Sequence, residues 1–478
     1  MATMEYPDLS LFIGGIKYAG HDAALTVVSP ASGKVVGRFK GASEADIDKA
    51  IQCAQSAFVG WRETTAVVRE SILRRAADLM RADVSKIAAT IVTENGKPIA
   101  EAGAELLAAA DVVDFYAGEA RRIYGRTIPA RSALGRMTTY KEPVGVVAAF
   151  TPWNFPAINL VRKLAPALAA GCTVVAKPAE ETPGTALLIA ECFSKAGLPS
   201  GALNILYGDP AAISSRLIAS TFINKISFTG STAVGRELAR QAGGALKRMT
   251  MELGGHAPVI VCSDADSEAA ADKAAAAKFR NAGQTCNSAS RFYVHRSIYE
   301  RFVERFASNA NAISVGDGIN PSTNMGPLSN VRRVVAAKFF VQNAVDLGAR
   351  LVAGGSAVEG NGFFFQPTVL ADVPAAAAIM RQEPFSPVAP ITAFDDLEEA
   401  VLLANSTDFA LASYVISDHA PSIRMLTTKI QAGVVGVNTF VASLPESPFG
   451  GWGSSGWGAE GGPEGIEPYL QTRFINEL

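Results

Sequence analysis

Short apolar runs alternate with helical stretches along the chain from residue 143 to about residue 250. The four runs lie at residues 144–150, 172–177, 202–207 and 225–228, and helical stretches such as 184–196 and 232–243 separate them. Short apolar strands that alternate with helices are typical of a parallel sheet covered on both faces. Sheets of this kind bind ligands at the carboxyl ends of their strands. The pattern predicts an α/β domain whose site lies on the turns after these runs.

A second alternating series begins at residues 257–262 and continues to about residue 436, so a boundary near 253–255 separates two predicted α/β domains. Before the first series, the apolar pieces 11–13 and 26–28 predict hairpins. Apolar residues at three- and four-residue steps from 43 to about 122 then predict helices.

Two segments near the end of the chain differ from both series. The Gly-rich segment 450–462 is predicted to lack regular structure. The closing piece, 468–474, reads as a strand without a core of its own. We expect it to pair with another subunit's sheet, alongside segment 123–140.

Composition favours a large globular enzyme of two or three domains. Of 478 residues, 49% are hydrophobic and 18% are charged. The net charge of −2 does not indicate binding to nucleic acid or to a membrane surface. No apolar run approaches the roughly 18 residues of a membrane span, and the acidic start does not read as a signal peptide. Five scattered cysteines fit neither a disulfide framework nor a metal site. These features predict a cytoplasmic protein with reduced thiols and no bound metal.

The stretch from Phe228 to Gly235 follows a predicted strand and opens a predicted helix. Backbone N–H groups at such a helix start, with Gly230 and Gly235 allowing close approach, suit a pyrophosphate. The spacing lacks the usual GxGxxG fingerprint, so an ordinary Gly-rich turn is the alternative. Lys177 and Glu180 end another strand and suit an adenosine ribose, where the carboxylate favours NAD over NADP. Their alternative is an exposed loop.

Three polar residues occupy turns where chemistry is expected. Cys286 lies between a predicted helix at 267–280 and a strand at 291–298, while Asn154 and Glu252 each follow a strand. A thiol, a carboxylate and an amide in such positions suit a nucleophile, a base and an oxyanion donor. Each alone has a structural alternative as a core, cap or helix-dipole residue. No histidine stands in a Cys–His setting, which disfavours a hydrolase of that type.

Seven motifs in order resemble the aldehyde dehydrogenase superfamily over nearly the whole chain: FTPWNFP (150–156), KPAEETP (177–183), FTGST (228–232), MELGG (251–255), GQTC (283–286), EPFSPV (383–388) and PFGG (448–451). The resemblance is closest to succinate-semialdehyde and 2-oxoglutarate-semialdehyde dehydrogenases. It implies an α/β fold of two domains with open, twisted, parallel-type sheets and a small β oligomerisation arm, in a homodimer or homotetramer. The expected NAD-binding domain covers residues 1–122 and 141–252, the catalytic domain 253–440, and the arm 123–140 and 456–478.

The resemblance also implies roles for individual residues. Cys286 resembles the nucleophile, Glu252 the general base, and Asn154 with the Cys286 backbone N–H the oxyanion hole. The implied cofactor is NAD, with NADP as the alternative. Its implied contacts are Trp153, Lys177, Glu180, Gly230, Ser231, Gly235, Leu253, Glu383 and Phe385.

Three residues are candidates for binding a carboxylate on the substrate. Arg162 lies about two helical turns past Asn154, roughly 12 Å along the axis, and Arg291 lies five residues past Cys286. Ser443 matches a carboxylate-binding serine of the succinate-semialdehyde type. The alternative for both arginines is a structural role, in which the side chain bridges helices or subunits.

The chain departs from the family at two places. Ser288 stands where relatives with a redox switch have a second cysteine. Gly453 and Ala459 replace a common Lys and Arg, and we expect Trp452 and Trp457 to affect the mouth of the substrate tunnel. The leading interpretation is an NAD-dependent semialdehyde dehydrogenase. The alternatives are a broad dehydrogenase for uncharged aliphatic or aromatic aldehydes and a non-catalytic binding protein on this fold.

Overall fold

The computed structural model describes residues 6–478. Its helices are α1 (Glu44–Arg62), α2 (Ala66–Ala82), α3 (Val84–Asn95), α4 (Ile99–Ala120), α5 (Pro156–Ala170), α6 (Pro183–Lys195), α7 (Pro210–Ala219), α8 (Thr232–Gly244), α9 (Ser267–Phe279), α10 (Tyr299–Ala312), α11 (Val331–Asp346), α12 (Ala378–Arg381), α13 (Leu397–Ala404) and α14 (Ala420–Lys429). None of the helices in this range is long and apolar enough to cross a membrane.

The strands in the first half of the chain are β1 (Leu11–Ile13), β2 (Ile16–Tyr18), β3 (Ala24–Val28), β4 (Val35–Lys40), β5 (Arg126–Ile128), β6 (Arg136–Pro143), β7 (Val146–Phe150), β8 (Thr173–Lys177), β9 (Leu203–Ile205), β10 (Ile223–Thr229) and β11 (Arg248–Glu252). Those in the second half are β12 (Ala257–Val261), β13 (Ala289–His295), β14 (Arg350–Ala353), β15 (Thr368–Ala371), β16 (Val388–Phe394), β17 (Phe409–Ala410), β18 (Ala412–Ile416), β19 (Val434–Val437), β20 (Trp452–Gly453), β21 (Gly456–Trp457) and β22 (Leu470–Glu477).

The first large sheet has the strand order β2-β1-β9-β8-β7-β10-β11-β21, and the strands from β9 to β11 are parallel. The chain moves outward from β7 to β9 and then returns to the other side of β7 with β10. This reversal opens a crevice at the carboxyl ends of β7 and β10, where open α/β sheets bind their ligands. Every residue of β7 and β8 is buried, because helices cover both faces.

The second large sheet has the order β14-β15-β16-β13-β12-β18-β19, and only the β14–β15 pair is antiparallel. Each large sheet carries its own hydrophobic core, one extending from Leu11 to Leu470 along the chain and the other from Ala257 to Ala442. The prediction of two α/β units with parallel-type sheets is therefore confirmed.

The region from residue 44 to residue 120 forms four helices, as its periodicity predicts, and the first has clear local signals. Ser43 accepts a hydrogen bond from the Asp46 N–H, and the Asp46 carboxylate accepts one from the Ser43 N–H. This reciprocal capping box satisfies donors that the helix start would otherwise leave without partners. The two predicted N-terminal hairpins are also present, as β1–β2 and β3–β4.

A third sheet of order β22-β6-β5 forms a small arm. The closing strand β22 pairs with β6 of the same chain over its whole length, from Leu470 opposite Pro143 to Glu477 opposite Arg136. Most of its residues are exposed. Its pairing with a second subunit stays a prediction.

The Gly-rich segment is more regular than its composition predicts, so that prediction is wrong. Within it, β20 pairs with β17 and β21 pairs with β11, the last parallel strand of the first sheet. Two residues are enough for each pairing because backbone atoms, not side chains, make these contacts. The segment thereby joins the first large sheet to β17.

Candidate active site

A cavity of about 670 Å³ lies where the turns after β7, β10 and β11 meet the turn before β13. Its walls include most of the residues singled out from the sequence, namely Trp153, Asn154, Arg162, Gly230, Ser231, Glu252, Leu253, Cys286, Glu383, Phe385 and Ser443. The structure brings these side chains together from segments almost 300 residues apart. Lys177, Glu180, Gly235 and Arg291 do not line the cavity.

Asn154 lies on the turn between β7 and α5, where Pro156 takes the first helical position. Its side chain is 4% exposed and is held at both ends. The amide nitrogen donates to the Gln284 carbonyl at 3.0 Å, and the amide oxygen accepts from Asn159 at 3.2 Å. One N–H of the amide stays free, and an amide N–H is a suitable donor to an oxyanion.

Cys286 follows a tight turn whose backbone is unusual. Asn281 and Ala282 have φ values of 47° and 53°, a left-handed conformation that residues with a side chain rarely adopt. The turn is held by the side-chain amide nitrogen of Asn281. This nitrogen donates to the Asn154 carbonyl at 3.0 Å and to the Gln284 carbonyl at 3.3 Å. The Cys286 carbonyl packs against Gly255, where an added Cβ would lie 2.1 Å from its oxygen. The thiol position is therefore fixed from both domains.

Glu252 ends β11 and is buried, and neither of its carboxylate oxygens has a hydrogen-bond partner within residues 6–478. Burial, and then the negative charge of Glu460, raise the pKa of Glu252 well above its ordinary value, against the opposing effect of Lys163 and Arg162. A carboxylate without hydrogen bonds in such a setting binds a proton readily. Glu252 is therefore suited to act as a base once it is ionised.

The Cys286 thiol faces two carboxyl groups. Burial, and then Glu383 and Glu252, raise the pKa of Cys286 to about 12, while Arg162 lowers it. The resting group is therefore the thiol rather than the thiolate, because its pKa is far above neutrality. Any reaction at this sulfur needs a nearby group that takes its proton.

The N-terminus of α8 forms another part of the wall. Ser231 caps this helix by accepting from the Val234 N–H, and Gly230, Ser231 and Val234 line the cavity. Gly235 lets α8 pack closely on the Leu253 side chain, because an added Cβ at this position would lie 2.2 Å from it. A helix start that packs this closely on the sheet suits a diphosphate.

Glu383 and two aromatic rings form the adjoining wall. Glu383 accepts a hydrogen bond from the Gly255 N–H at 3.0 Å, and burial raises its pKa to about 7. The rings of Trp153 and Phe385 meet edge to face, with 5.7 Å between centroids. A carboxyl group beside apolar ring surfaces fits a ribose and a flat heterocycle. These residues and the α8 start together suit a nicotinamide dinucleotide.

Lys177 and Glu180 form an ion pair at 2.5 Å at the carboxyl end of β8. They lie outside the cavity walls, but Glu180 is close enough to the turn after β9 to accept from the Gly208 N–H at 3.4 Å. The Glu180 carboxylate is partly exposed and stands at the end of a strand beside β7. This position suits the far end of an extended ligand, although the two residues do not touch the main cavity.

Arg162 and Ser443 are brought together at the cavity wall, as the sequence predicts. The Arg162 guanidinium donates to the Ser443 hydroxyl and lies 5.1 Å from the centroid of the Phe449 ring. Its Nε is buried without a partner, and it forms no ion pair with any carboxylate in the described part of the chain. This cation is therefore short of acceptors, which makes it a candidate for binding an anion.

The prediction that Arg291 shares this anion is wrong. Arg291 is fully buried, and its guanidinium donates to the carbonyls of His256, Leu403 and Ala404 at 2.9–3.1 Å. The strand β13 begins at Ala289 rather than at residue 291, so Arg291 lies inside the sheet and its side chain reaches the C-terminal end of α13. A cation at a helix C-terminus satisfies carbonyls that the helix leaves without partners.

The expected effect of the two tryptophans on the mouth of the cavity stays a prediction. Trp452 and Trp457 are 57% and 68% exposed, and neither lines the cavity. They stand on β20 and β21, whose backbone atoms pair with neighbouring strands and direct the side chains to the surface.

Some residues at the site had no role in the sequence-based assignment. Lys163 is buried and pairs with Glu460, which is 297 residues away in the chain. Arg332 and Arg333, in the first turn of α11, also line the cavity. The sequence did contain a signal for Lys163, because it is a charged residue next to Arg162 on a predicted buried helix. No local pattern identifies its partner. Within residues 6–478, no cluster of metal-binding side chains is present.

The model of the aldehyde dehydrogenase family matches residues 18–475. The chain is 45% identical to the putative 4-(hydroxymethyl)benzenesulfonate dehydrogenase TsaD2 of Comamonas testosteroni, over 100% of this chain and 99% of that protein. It is 41% identical to the NADP(+) succinate-semialdehyde dehydrogenase GabD of Escherichia coli (strain K12), over 96% and 95% of the two chains. The crystal structure of a succinate-semialdehyde dehydrogenase from Burkholderia pseudomallei superposes with a TM-score of 0.97 at 41% identity, covering 100% and 99% of the two chains.

The new position of Arg291 makes a prediction about stability. Arg291→Leu removes the side-chain donor to the His256 and Ala404 carbonyls and one of the donors to the Leu403 carbonyl, so we expect the free energy of unfolding to fall by about 3 kcal/mol. Selectivity between a carboxylate-bearing and an uncharged aldehyde should not change. Chemical unfolding checks the first expectation and kinetics the second. The matched control is Arg296→Leu, which removes only an exposed pair with Asp395 and should cost far less stability than Arg291→Leu. A loss of selectivity in Arg291→Leu would contradict the structural role.

Proposed function

Because the chain belongs to the aldehyde dehydrogenase family, it is an oxidoreductase that acts on aldehydes, and we propose that its aldehyde carries an anionic group. The observation that carries the proposal is Arg162, a buried cation on the cavity wall with an unpartnered Nε and no carboxylate partner in the described chain. Burying an unpaired charge is costly. An anionic substrate that reaches Arg162 and Ser443 would supply the missing partner.

The site residues suit a covalent route through Cys286. The sulfur attacks the aldehyde carbon while its proton leaves toward a base, and the former carbonyl oxygen becomes an oxyanion. The free N–H of Asn154 and the backbone N–H of Cys286 stabilise this oxyanion, and each such donor contributes roughly 3 kcal/mol in the transition state. NAD, when bound, supplies the acceptor for the hydrogen that leaves carbon with its electron pair.

The second half of the reaction is hydrolysis of the thioester on Cys286. Glu252 takes a proton from water, and the oxygen attacks the acyl carbon. The C–S bond then breaks, which releases the acid and returns the sulfur. Glu252 suits this step because its carboxylate oxygens have no hydrogen-bond partner in the described chain and its pKa is raised. Its presence supports hydrolysis rather than transfer of the acyl group to another acceptor.

We propose succinate semialdehyde or 2-oxoglutarate semialdehyde as the substrate. The similarity to GabD supports this choice, since succinate semialdehyde carries a carboxylate. A sulfonate-bearing aromatic aldehyde is the second candidate, because the chain is 45% identical to TsaD2 over its full length. A guanidinium binds carboxylates and sulfonates through the same N–H donors. A broad enzyme for uncharged aldehydes is the remaining alternative.

The first test compares aldehydes in wild type and in Arg162→Leu. We expect kcat/KM of the wild type to be highest for an anionic aldehyde among succinate semialdehyde, 2-oxoglutarate semialdehyde, 4-sulfobenzaldehyde, hexanal and benzaldehyde. Arg162→Leu removes the cation, so kcat/KM for the anionic aldehydes should fall by an amount equivalent to roughly 2–5 kcal/mol. For hexanal it should change only a few-fold.

Two further variants serve as controls for this test. Ser443→Ala keeps the cation and removes one hydroxyl. It should therefore lower kcat/KM for the anionic aldehydes less than Arg162→Leu does. Cys286→Ala should abolish NADH formation with every aldehyde. A wild type that prefers hexanal or benzaldehyde would reject the anionic substrate, and activity in Cys286→Ala would reject the covalent route.

The base role of Glu252 makes a prediction about pH. Glu252 accepts a proton only when it is ionised, and its pKa is raised. We therefore expect kcat to increase as pH increases through that raised pKa and to fall on acidification at a pH where an ordinary glutamate is still ionised. Glu252→Gln should lower kcat by roughly 10²- to 10⁴-fold and remove this pH dependence. If hydrolysis is the step affected, a rapid burst of NADH should still precede the slow steady state. An unchanged kcat would contradict the assignment.

We further propose that NAD is preferred over NADP. The cofactor would be held by Gly230 and Ser231 at the start of α8, by Trp153, Glu383 and Phe385 beside the nicotinamide end, and by Lys177 and Glu180 at the adenosine end. A 2′-phosphate on that ribose would meet the Glu180 carboxylate, and like charges in contact repel.

Glu180→Ser tests the cofactor preference. The substitution removes the repelling charge and frees Lys177 to pair with a 2′-phosphate, so the ratio of kcat/KM with NADP to that with NAD should rise by about 10- to 100-fold. The matched control is Glu181→Ser, which removes the neighbouring charge without freeing Lys177 and should change the ratio less. A wild type that uses NADP better than NAD would overturn the preference.

The domain roles and assembly are part of the same proposal. The first α/β unit (1–122 and 141–252) would bind the cofactor, and the second (253–440) would carry the nucleophile. The exposed β22-β6-β5 sheet, with Tyr140 and Phe474 half exposed, supports an arm that joins a homodimer or homotetramer. Five free cysteines support a reducing, cytoplasmic location.

A further inference from the structure

The backbone carbonyl of Asn154 accepts hydrogen bonds from three buried side chains. Lys97 Nζ donates to it at 2.8 Å, the Asn281 side-chain amide nitrogen at 3.0 Å and the Asn95 side-chain amide nitrogen at 3.5 Å. Asn281 belongs to the turn that carries Cys286. Lys97 instead comes from the short connection between α3 and α4, which the proposed reaction does not otherwise involve. The peptide that follows the oxyanion donor is therefore held by a charged group from outside the cavity.

Lys97 is also paired with Glu105 of α4, at 2.6 Å between Nζ and Oε2. The other oxygen of Glu105 accepts from the backbone N–H groups of Ala157 and Ile158, at 2.8 and 3.3 Å. These residues form the first turn of α5, which has no side-chain cap from its own sequence. Glu105 therefore caps α5 from another helix, as a carboxylate at a helix N-terminus does.

The pair contacts the Asn154 turn at two points. Lys97 binds the carbonyl of residue 154, and Glu105 binds the N–H groups three and four residues later. Between these contacts lies Phe155, whose ring centroid is 3.8 Å from Lys97 Nζ. Because both ends of this short stretch are bound, the Asn154 side chain has little freedom to move away from Cys286.

The burial of this pair is difficult to explain by stability alone. Lys97 and Glu105 are only 1% and 2% exposed, so both charges are removed from water. The attraction within a buried ion pair often fails to exceed this desolvation cost, and apolar replacements of similar volume are often as stable. A role in positioning gives the pair a function that an apolar replacement would not have.

We propose that Lys97 and Glu105 are positioning residues that keep the free N–H of Asn154 directed at the oxyanion formed on the substrate. The inference rests on the proposed function, because it requires the covalent reaction at Cys286. It assigns no contact with substrate or cofactor to Lys97. Its consequence is that Lys97 matters for catalysis only while Asn154 is present.

A double-mutant cycle in the full-length enzyme tests this consequence. Asn154→Ala should lower kcat by about 10²- to 10³-fold, as expected for the loss of one oxyanion donor. Lys97→Met keeps the length of the side chain and removes its charge, and it should lower kcat by about 10²-fold, since small misplacements have effects of this size. The double variant should be no more than a few-fold slower than Asn154→Ala, because both act through one interaction. KM for NAD and the alkylation rate of Cys286 by iodoacetamide should stay near wild type.

Lys225→Met is the matched control for loss of a buried lysine. Lys225 is fully buried, donates to the Thr250 hydroxyl at 2.6 Å and does not line the cavity. Its substitution should affect stability while leaving kcat within a few-fold. Glu105→Gln is the second variant. It removes the charge of residue 105 but keeps the shape of the side chain and an oxygen that accepts from the N–H groups at the start of α5. It should lower kcat less than Lys97→Met, again only when Asn154 is present, and it decides the question if Lys97→Met does not fold.

The outcomes distinguish failure of the positioning role from failure of the proposed function. Equal losses from Lys97→Met in the wild-type and Asn154→Ala backgrounds would overturn the positioning role, and so would an unchanged kcat in an active enzyme. A wild type that oxidises no aldehyde would instead reject the proposed function itself.

Discussion

The geometry of the site depends on reciprocal hydrogen bonds between two turns. The Asn154 side chain donates to the Gln284 carbonyl, and the Asn281 side chain donates to the Asn154 carbonyl. One turn follows β7 in the first large sheet and the other precedes β13 in the second, so these bonds set the distance between an amide donor and the Cys286 thiol. The turn before Cys286 would not be fixed alone, because Asn281 and Ala282 have left-handed backbones that need outside support.

Several ionisable groups around the cavity between these two turns have shifted pKa values. Glu252 and Glu383 are both buried, and the pKa of each is raised. Burial, and then the charges of Glu383 and Glu252, raise the pKa of Cys286, while Arg162 acts in the opposite direction. Two acidic groups near one buried thiol favour its protonated form. Perturbed groups of this kind cluster at functional sites because chemistry, not stability, requires them.

The sequence predicts the elements of the site well and the partners of its charged residues poorly. Asn154 and Glu252 follow apolar strands, and the carboxyl ends of parallel strands meet at one edge of a sheet, so local pattern is enough to bring them together. Arg291 shows the limit. Its guanidinium binds carbonyls at the end of α13, 112 residues later, and no local pattern reveals which helix ends above β13. The short strands β20 and β21 escape prediction for a similar reason, since their backbone pairing with β17 and β11 is independent of side-chain periodicity.

The contrast between the two arginines gives a more general criterion for an anion site. Burial does not distinguish them, since both side chains lie inside the protein. What differs is the number of acceptors already present. Arg291 donates to three backbone carbonyls, whereas Arg162 donates to one hydroxyl and keeps its Nε without a partner. A guanidinium with five N–H donors gains little from a ligand when those donors are satisfied and much when they are not. The unsatisfied arginine also faces the cavity beside Cys286, so a single anionic group would satisfy Arg162 and place the other end of the aldehyde toward the sulfur.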